Sequence, residues 1–419
     1  MVTMYTRSRL IALLFGASLF QAAGLAGQQP GKPVPLPGAY DGGYLVFESQ
    51  DGAFKYWLDG RIQLDAGWFG GSKNTLANGT HVRRARIGVK ATLFTDWLAE
   101  LDIDFAGDAV EMKDLWIGYS GLQNTVIRFG NMKEPFSLET LTSSKFITFM
   151  ERSYIDNLAP DRHIGAAVSY HGKQWQAAAG IFGQGPPDVD ATGQDEATGF
   201  TGRFTVAPIN REGRLLHLGV SASMREPPAD AAADANQQRF RARAETMLNR
   251  ARFLSTGKIK NVDKTLLYNA EVAGVAGPVS LQAEYTRAVV RRLLDLKAAT
   301  FKGGYGMASV FLTGESRPYL ANEGEFDRII PRSTHGALEL AARVSTLDLN
   351  DETVGVAILG GKGVNYTIAA NWYLNANFKF AINYVRVTTD ENAKPDQGTA
   401  PLLAGDNFNI LQVRWALAF

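Results

Sequence analysis

The chain has 419 residues, no cysteine, 45% hydrophobic and 11% aromatic residues, 43 glycines and a formal net charge of +1. It is too apolar and aromatic for a disordered segment, and too evenly charged for a general nucleic-acid binder. The missing cysteine excludes disulfide scaffolding and thiolate metal sites, while the length admits several soluble domains or one large closed architecture.

Residues 1–26 read as a secretory signal peptide. Arg7 and Arg9 supply its charge, Leu10 to Phe20 its short apolar stretch, and Ala22, Ala23, Gly24 and Ala26 its small residues for cleavage. Cleavage removes two of the 43 basic residues and leaves 41 against 42 acidic ones, so charge selectivity must come from local arrangement. Residues 27–53, rich in proline and glycine, read as a periplasmic leader. No later apolar run approaches the roughly 18–20 residues of a transmembrane helix, a limit that leaves membrane barrels open.

From Phe54 onward the apolar positions recur at every second residue. Ala85, Ile87, Val89, Ala91 and Leu93 share one face of a segment whose other face carries Arg84, Arg86, Gly88 and Lys90. Next, Leu101, Ile103 and Phe105 oppose Glu100, Asp102 and Asp104. Late in the chain Tyr366, Ile368, Ala370, Trp372 and Leu374 alternate with polar and small residues, and Phe378, Phe380, Ile382 and Tyr384 follow an Asn375-Ala376-Asn377 turn. Such alternation marks strands with one wet and one apolar side. In a soluble sandwich the apolar sides meet in a core; in an outer-membrane barrel they face lipid.

Connection lengths favour the barrel. Stretches near 69–81, 131–163, 183–198 and 225–265 are long, those near 95–97, 120–124, 172–173 and 276–278 short, and about sixteen strands fit between them. Brief periplasmic turns alternating with extended external loops produce that rhythm. The stretch 314–334 breaks it, being long where a short turn is due. At the end of the chain, Leu411, Val413, Trp415, Leu417 and Phe419 share one face opposite Gln412 and Arg414. An alternating last strand closing on phenylalanine resembles the assembly signal of bacterial outer-membrane barrels. The expected fold is therefore all-β, a transmembrane antiparallel barrel of about sixteen strands over 54–419.

Reaction chemistry is hard to find. The five histidines lack metal-ligand spacing, no nucleophile elbow or Walker A motif is present, and Gly360-Gly361-Lys362-Gly363 lacks the spacing of a phosphate loop. Neither an enzymatic reaction nor a cofactor is expected. What stands out is positive charge: Arg61 with Gln63 and Asp65 on one wet face, Arg84, Arg86 and Lys90 on another, and Arg239, Arg241 and Arg243 at period two. The last three belong to the 225–265 stretch, read as an external loop with a net charge of +4. Cationic side chains in a narrow channel raise the local anion concentration. Arg83 and Arg84 are adjacent, so a regular strand would send one of them toward lipid at about 2–4 kcal/mol. Arg83 must lie near the rim or bulge inward.

Several blocks carry a family resemblance. Arg83-Arg84-Ala85-Arg86-Ile87-Gly88-Val89-Lys90, Lys133-Glu134-Pro135-Phe136-Ser137-Leu138-Glu139, Leu141-Thr142-Ser143-Ser144-Lys145 and Met150-Glu151-Arg152-Ser153 resemble, in order, blocks of the phosphate-selective porin O and P family. Phe311-Leu312-Thr313-Gly314-Glu315, Gly336 to Arg343 and Asn371-Trp372-Tyr373-Leu374-Asn375 extend the match. The resemblance implies a homotrimer of sixteen-stranded barrels in the outer membrane, in contact with lipid and lipopolysaccharide, with the third external loop (131–163) folded inward as a constriction. It further implies an anion site of Arg61, Arg83, Arg84, Asp114, Ser144 and Lys145 for phosphate or polyphosphate, with Arg86, Lys90, Lys133, Arg152, Arg239, Arg241 and Arg243 lining the path. One departure is Leu141, where a lysine is expected. A porin for sugars or cations remains the alternative, favoured by Glu100, Asp102 and Asp104. A barrel enzyme and a secreted β-rich binding protein are more distant ones.

Overall fold

The computed structural model describes residues 38–107, 109–186, 197–227, 236–249, 251–353, 355, 357–394 and 403–419. The signal peptide expected at 1–26 and the first part of the expected leader lie outside the described residues.

Alternation resolves into sixteen long strands. They are β1 (Phe54–Gly70), β2 (Gly79–Leu93), β3 (Trp97–Asp104), β4 (Glu111–Leu122), β5 (Thr125–Lys133) and β6 (Arg162–His171). Then come β7 (Trp175–Phe182), β8 (Thr198–Arg211), β9 (Arg214–Glu226), β10 (Val262–Ala276) and β11 (Val279–Arg292). The last are β12 (Ala299–Phe311), β13 (Ala337–Asp351), β14 (Ile358–Tyr373), β15 (Phe378–Thr389) and β16 (Phe408–Ala418). Each pairs antiparallel with the next, and β16 returns to β1 from Asn409 opposite Gly70 to Ala418 opposite Arg61. Closure leaves no unpaired edge to satisfy in lipid. Phe419 completes it by exchanging backbone hydrogen bonds with Gly60, at 2.7 and 3.0 Å.

The burial pattern decides between sandwich and barrel. Along β1, Asp59, Arg61, Gln63 and Asp65 are buried while Ile62, Leu64 and Trp68 are exposed. Along β2, Arg84 and Arg86 are buried while Ile87 and Val89 are exposed. A soluble sandwich would show the reverse. Apolar outside and charged inside is the arrangement of a membrane barrel.

At one end the strands join through short turns at 94–96, 123–124, 172–174, 212–213, 277–278 and 374–377. Gly213 and Gly277 sit in two of them at φ 66° and 58°, where a Cβ is unfavourable. Outward aromatic pairs flank this end, among them Trp97–Tyr119, Tyr170–Trp175 and Phe380–Trp415. They form the interfacial girdle expected of such barrels.

The long stretch at this same end has a structural role. Tyr319–Leu320 and Glu325–Phe326 pair as a small hairpin, and Phe326 packs with Leu138, Ala207, Leu215 and Val275. Arg203 of β8 donates to the carbonyls of Glu323 and Gly324, and His217 of β9 lies 2.6 Å from the Tyr319 hydroxyl.

Segment 134–161, between β5 and β6, reaches inward-facing residues on distant strands. Its short helix α1 (Leu138–Leu141) starts at Ser137, whose Oγ accepts from Thr140 N. The first amides of α1 donate to Glu271 of β10 at 2.7 Å and Glu284 of β11 at 2.8 Å, compensating otherwise orphaned N–H groups. Tyr154 N donates to Ser345 Oγ of β13 at 2.9 Å. Residues 236–261 add Phe240, Leu254 and Ile259 to an apolar cluster with Phe136, Tyr154, Phe301 and Leu347.

Candidate functional site

Strands β1 to β6 carry their charges on the inward face, and segment 134–161 lies against them. Between them is a cavity of about 650 Å³, bordered by the 319–326 hairpin and by an N-terminal hairpin of Gly38–Asp41 and Tyr44–Glu48. The second strand of that hairpin pairs antiparallel with the start of β1, with Leu45 opposite Leu58. Ten basic and seven acidic side chains line the cavity. Of the residues read from the sequence, it gathers Arg61, Arg84, Arg86, Lys90, Asp114, Lys133, Ser144, Lys145 and Arg152.

Parity explains how Arg83 and Arg84 coexist. The register of β1 and β2 slips between Gln63, which pairs with Arg84, and Leu64, which pairs with Val82. Arg83 is the extra residue of a bulge, and its guanidinium donates to both Glu151 oxygens, at 2.7 and 2.9 Å. Arg414 of β16 also donates to Glu151, at 2.7 Å. Burial raises the Glu151 carboxyl, but Arg83 and Arg414 outweigh it and hold the group well below the usual carboxylate range. Arg83 is therefore neutralised locally and lies apart from the cavity lining.

Arg84 differs. It is 4% exposed, donates to Gln63 Oε1 at 2.6 Å, and has no carboxylate within ion-pair distance among the described residues. Its Nε has no protein partner. Arg61 donates to Ser144 Oγ at 2.9 Å and to Asp102 at 3.1 Å, and its Nε is likewise unpartnered.

The acidic ladder of β3 faces the basic ladder of β2. Asp104 accepts from Arg86 at 2.7 Å, Asp102 lies 3.6 Å from the same guanidinium, and Glu100 lies 3.3 Å from Lys90. These carboxylates thus compensate neighbouring cations. Asp114 is held in a fork by Arg162, at 3.1 and 2.8 Å.

Lys145, on the segment between the strands, donates to Asp59 at 2.7 Å and lies 5.1 Å from the Tyr44 ring. Burial lowers its ammonium, opposed by Asp59 and assisted by Arg61 and Lys90, to about 7. Lys133 and Arg152 serve the end of α1. Lys133 Nζ donates to the carbonyls of Thr140 and Leu141, at 2.5 and 2.9 Å, and Arg152 to those of Glu139 and Thr142, at 2.8 and 2.7 Å. These are the orphaned carbonyls of a helix C-terminus.

Arg239, Arg241 and Arg243 lie outside the cavity lining. Arg239 bonds Ser255 Oγ at 3.4 Å, Arg243 lies 3.1 Å from Met247 Sδ, and Arg241 is exposed. Asp230, Asp234 and Arg250 of that stretch fall outside the described residues.

Four cations were not singled out by the sequence as site residues: Arg128 and Arg162, which line the cavity, and Arg343 and Arg414, which do not. Arg343 joins Glu139 at 3.1 Å to Glu245 at 2.7 Å, and Arg414 forks onto Asp65 with two bonds of 2.7 Å. The wet-face parity of Arg343 and Arg414 was a usable signal, but their carboxylate partners lie 98 to 349 residues away in sequence. Gly361, at φ 85°, forms a bulge in β14 whose amide donates to Asn350, so the glycine run there is a strand irregularity. Among the described residues no three metal-ligating side chains cluster.

A family model described as phosphate-selective porin O and P matches residues 57–419. Porin O of Pseudomonas aeruginosa is 29% identical over 385 residues, covering 83% of this chain and 86% of that protein. An uncharacterized protein of Caulobacter vibrioides is 30% identical, covering 94% of this chain and 80% of its own length. Among solved structures, the anion-selective porin from Comamonas acidovorans superposes with a TM-score of 0.53 at 12% identity, over 87% of this chain and all of that one. With a closed sixteen-strand wall, an apolar outside and a match running from the first strand to the last residue, the chain belongs to the phosphate-selective porin O and P family of the bacterial outer membrane.

Proposed function

We propose that the barrel is an anion-preferring diffusion channel for phosphate or polyphosphate, narrowed by segment 134–161. Arg84 carries this reading: it is a buried guanidinium with no carboxylate partner among the described residues, on the wall of a cavity where basic side chains outnumber acidic ones. A passing oxyanion would trade part of its hydration shell for donors from Arg84, Arg61 and Lys145, with charge-assisted bonds that a chloride matches less well. Membership in the family and the likeness to Porin O and to the anion-selective porin of Comamonas acidovorans support the same direction. The resemblance also supports a homotrimer set in lipid and lipopolysaccharide, exported by the 1–26 signal, with Arg239, Arg241 and Arg243 drawing anions toward the mouth.

Neutralising Arg84 and Lys145 together, as R84Q/K145Q, tests the proposal. The anion-to-cation permeability ratio of the folded double variant falls toward one if the reading holds, and an unchanged ratio refutes it. A cation or sugar porin is the second reading, favoured by the carboxylates that compensate Arg61, Arg86 and Lys90. A cation-selective wild-type channel would establish it instead.

A further inference from the structure

Three cations converge on one carboxylate in the cavity wall. Asp59 Oδ2 accepts from Lys145 Nζ at 2.7 Å and lies 3.7 Å from Lys90 Nζ, while Oδ1 lies 3.5 Å from the Arg61 guanidinium. Asp59 is only 4% exposed, so little water stands in for these partners. Arg61 and Lys90 each keep a second acid, Asp102 and Glu100. Lys145 has no other carboxylate partner among the described residues, and its ammonium is flanked by the rings of Tyr44 and Phe146 at 5.1 and 5.4 Å.

We propose that Asp59 is a tethered counter-anion that occupies the cation cluster between passages and must be displaced by each permeating oxyanion. This deepens the anion-channel reading and rests on it. A carboxylate and a phosphate oxygen compete for the same ammonium and guanidinium donors, so an arriving anion exchanges for Asp59 rather than adding to an empty site. When the anion leaves, Asp59 recaptures the lysine and no bare cation remains buried. Exchange shortens residence, and conduction depends on release as much as on capture. The ligand class that competes best is a small oxyanion of charge two, since it can satisfy a lysine and an arginine at once.

Phosphate block of chloride current through single channels tests this. Lys145 is replaced by arginine to keep its charge independent of Asp59. Relative to K145R, the D59N/K145R channel is expected to show half-block at about tenfold lower phosphate, with correspondingly longer block dwells, as removal of a negative charge a few ångströms away implies. D59E/K145R, which retains the carboxylate, stays within about twofold of K145R on the same electrostatic ground. Heat-modifiable migration confirms folded barrels, and D59S carries the same test if D59N does not assemble. Unchanged block in D59N/K145R, with R84Q still lowering anion preference, overturns the role of Asp59 and leaves the anion channel standing. No change in either variant overturns both.

Discussion

The two sides of the barrel use the same kind of inward charge differently. On the β8–β13 side, Arg203 is locked to Glu271 at 2.7 Å and to the hairpin carbonyls, and Arg343 joins Glu139 of one inserted segment to Glu245 of another. Those cations hold segments in place. On the β1–β6 side, Arg61, Arg84, Lys90 and Lys145 border open volume instead. Parity puts the strand-borne ones on the inner face, and the inserted segment brings Lys145 to them; what separates structure from transport is whether a segment covers them. Where covered, a charge needs a carboxylate or carbonyl to offset its desolvation. Where a cavity remains, a permeating ion can serve.

That contrast can be broken from either side. The largest effect is expected for R343M, which strips Glu139 and Glu245 of a buried partner and should destabilise the barrel by about 3–5 kcal/mol. Urea unfolding followed by heat-modifiable migration would read the loss, and an unchanged midpoint would place Arg343 outside the structural network. R84Q should do the opposite. Its stability is expected to stay within about 1 kcal/mol of wild type, because no ion pair is broken. Its anion-to-cation permeability ratio should fall about fivefold, as the loss of a nearby low-dielectric charge implies. A large stability loss with intact selectivity would move Arg84 into the structural set.

A smaller effect concerns pH. Lys145 is lowered to about 7, so it is charged below that pH and loses its charge as pH rises through it. The groups facing it are Asp59, Arg61, Lys90, Tyr44 and Phe146. Chloride preference in KCl should therefore decline by about twofold from pH 6 to pH 8, as loss of one cation at the wall implies. The K145R channel should not respond, and an equal decline in it would assign the titration elsewhere. The smallest effect is expected for R241Q. Arg241 is exposed, and its contribution to anion capture should stay below about twofold and vanish in high salt. A low-salt conductance series would show it.

Much of the architecture was legible because a two-residue period records it residue by residue. Ile87 and Val89 against Arg84 and Arg86 declared which side of β2 faces lipid, and the adjacency of Arg83 and Arg84 left a rim position or a bulge, of which the structure has the bulge, opposite Gln63. Pairings were not legible. Nothing local in the sequence joins Arg83 to Glu151, Asp114 to Arg162 or Arg414 to Asp65, since the inserted segment creates the first contact, the pairing of β4 and β6 on either side of β5 the second, and barrel closure the third. The 312–336 connection was opaque for the same reason. Its purpose lies in Arg203, His217 and Leu138, which the chain brings to it only after folding. The acidic ladder was incomplete by itself: Asp102 and Asp104 read as unpaired charge until Arg61 and Arg86 are found against them.

The most direct test of the account is the reversal potential of the purified wild-type channel in a planar bilayer under a KCl gradient, followed by titration of phosphate into the same membrane. An anion-selective potential and a progressive phosphate block of the chloride current are expected. A cation-selective or near-zero potential without block would contradict the anion-channel reading, and would assign the cavity's cations to holding the barrel and its segments together.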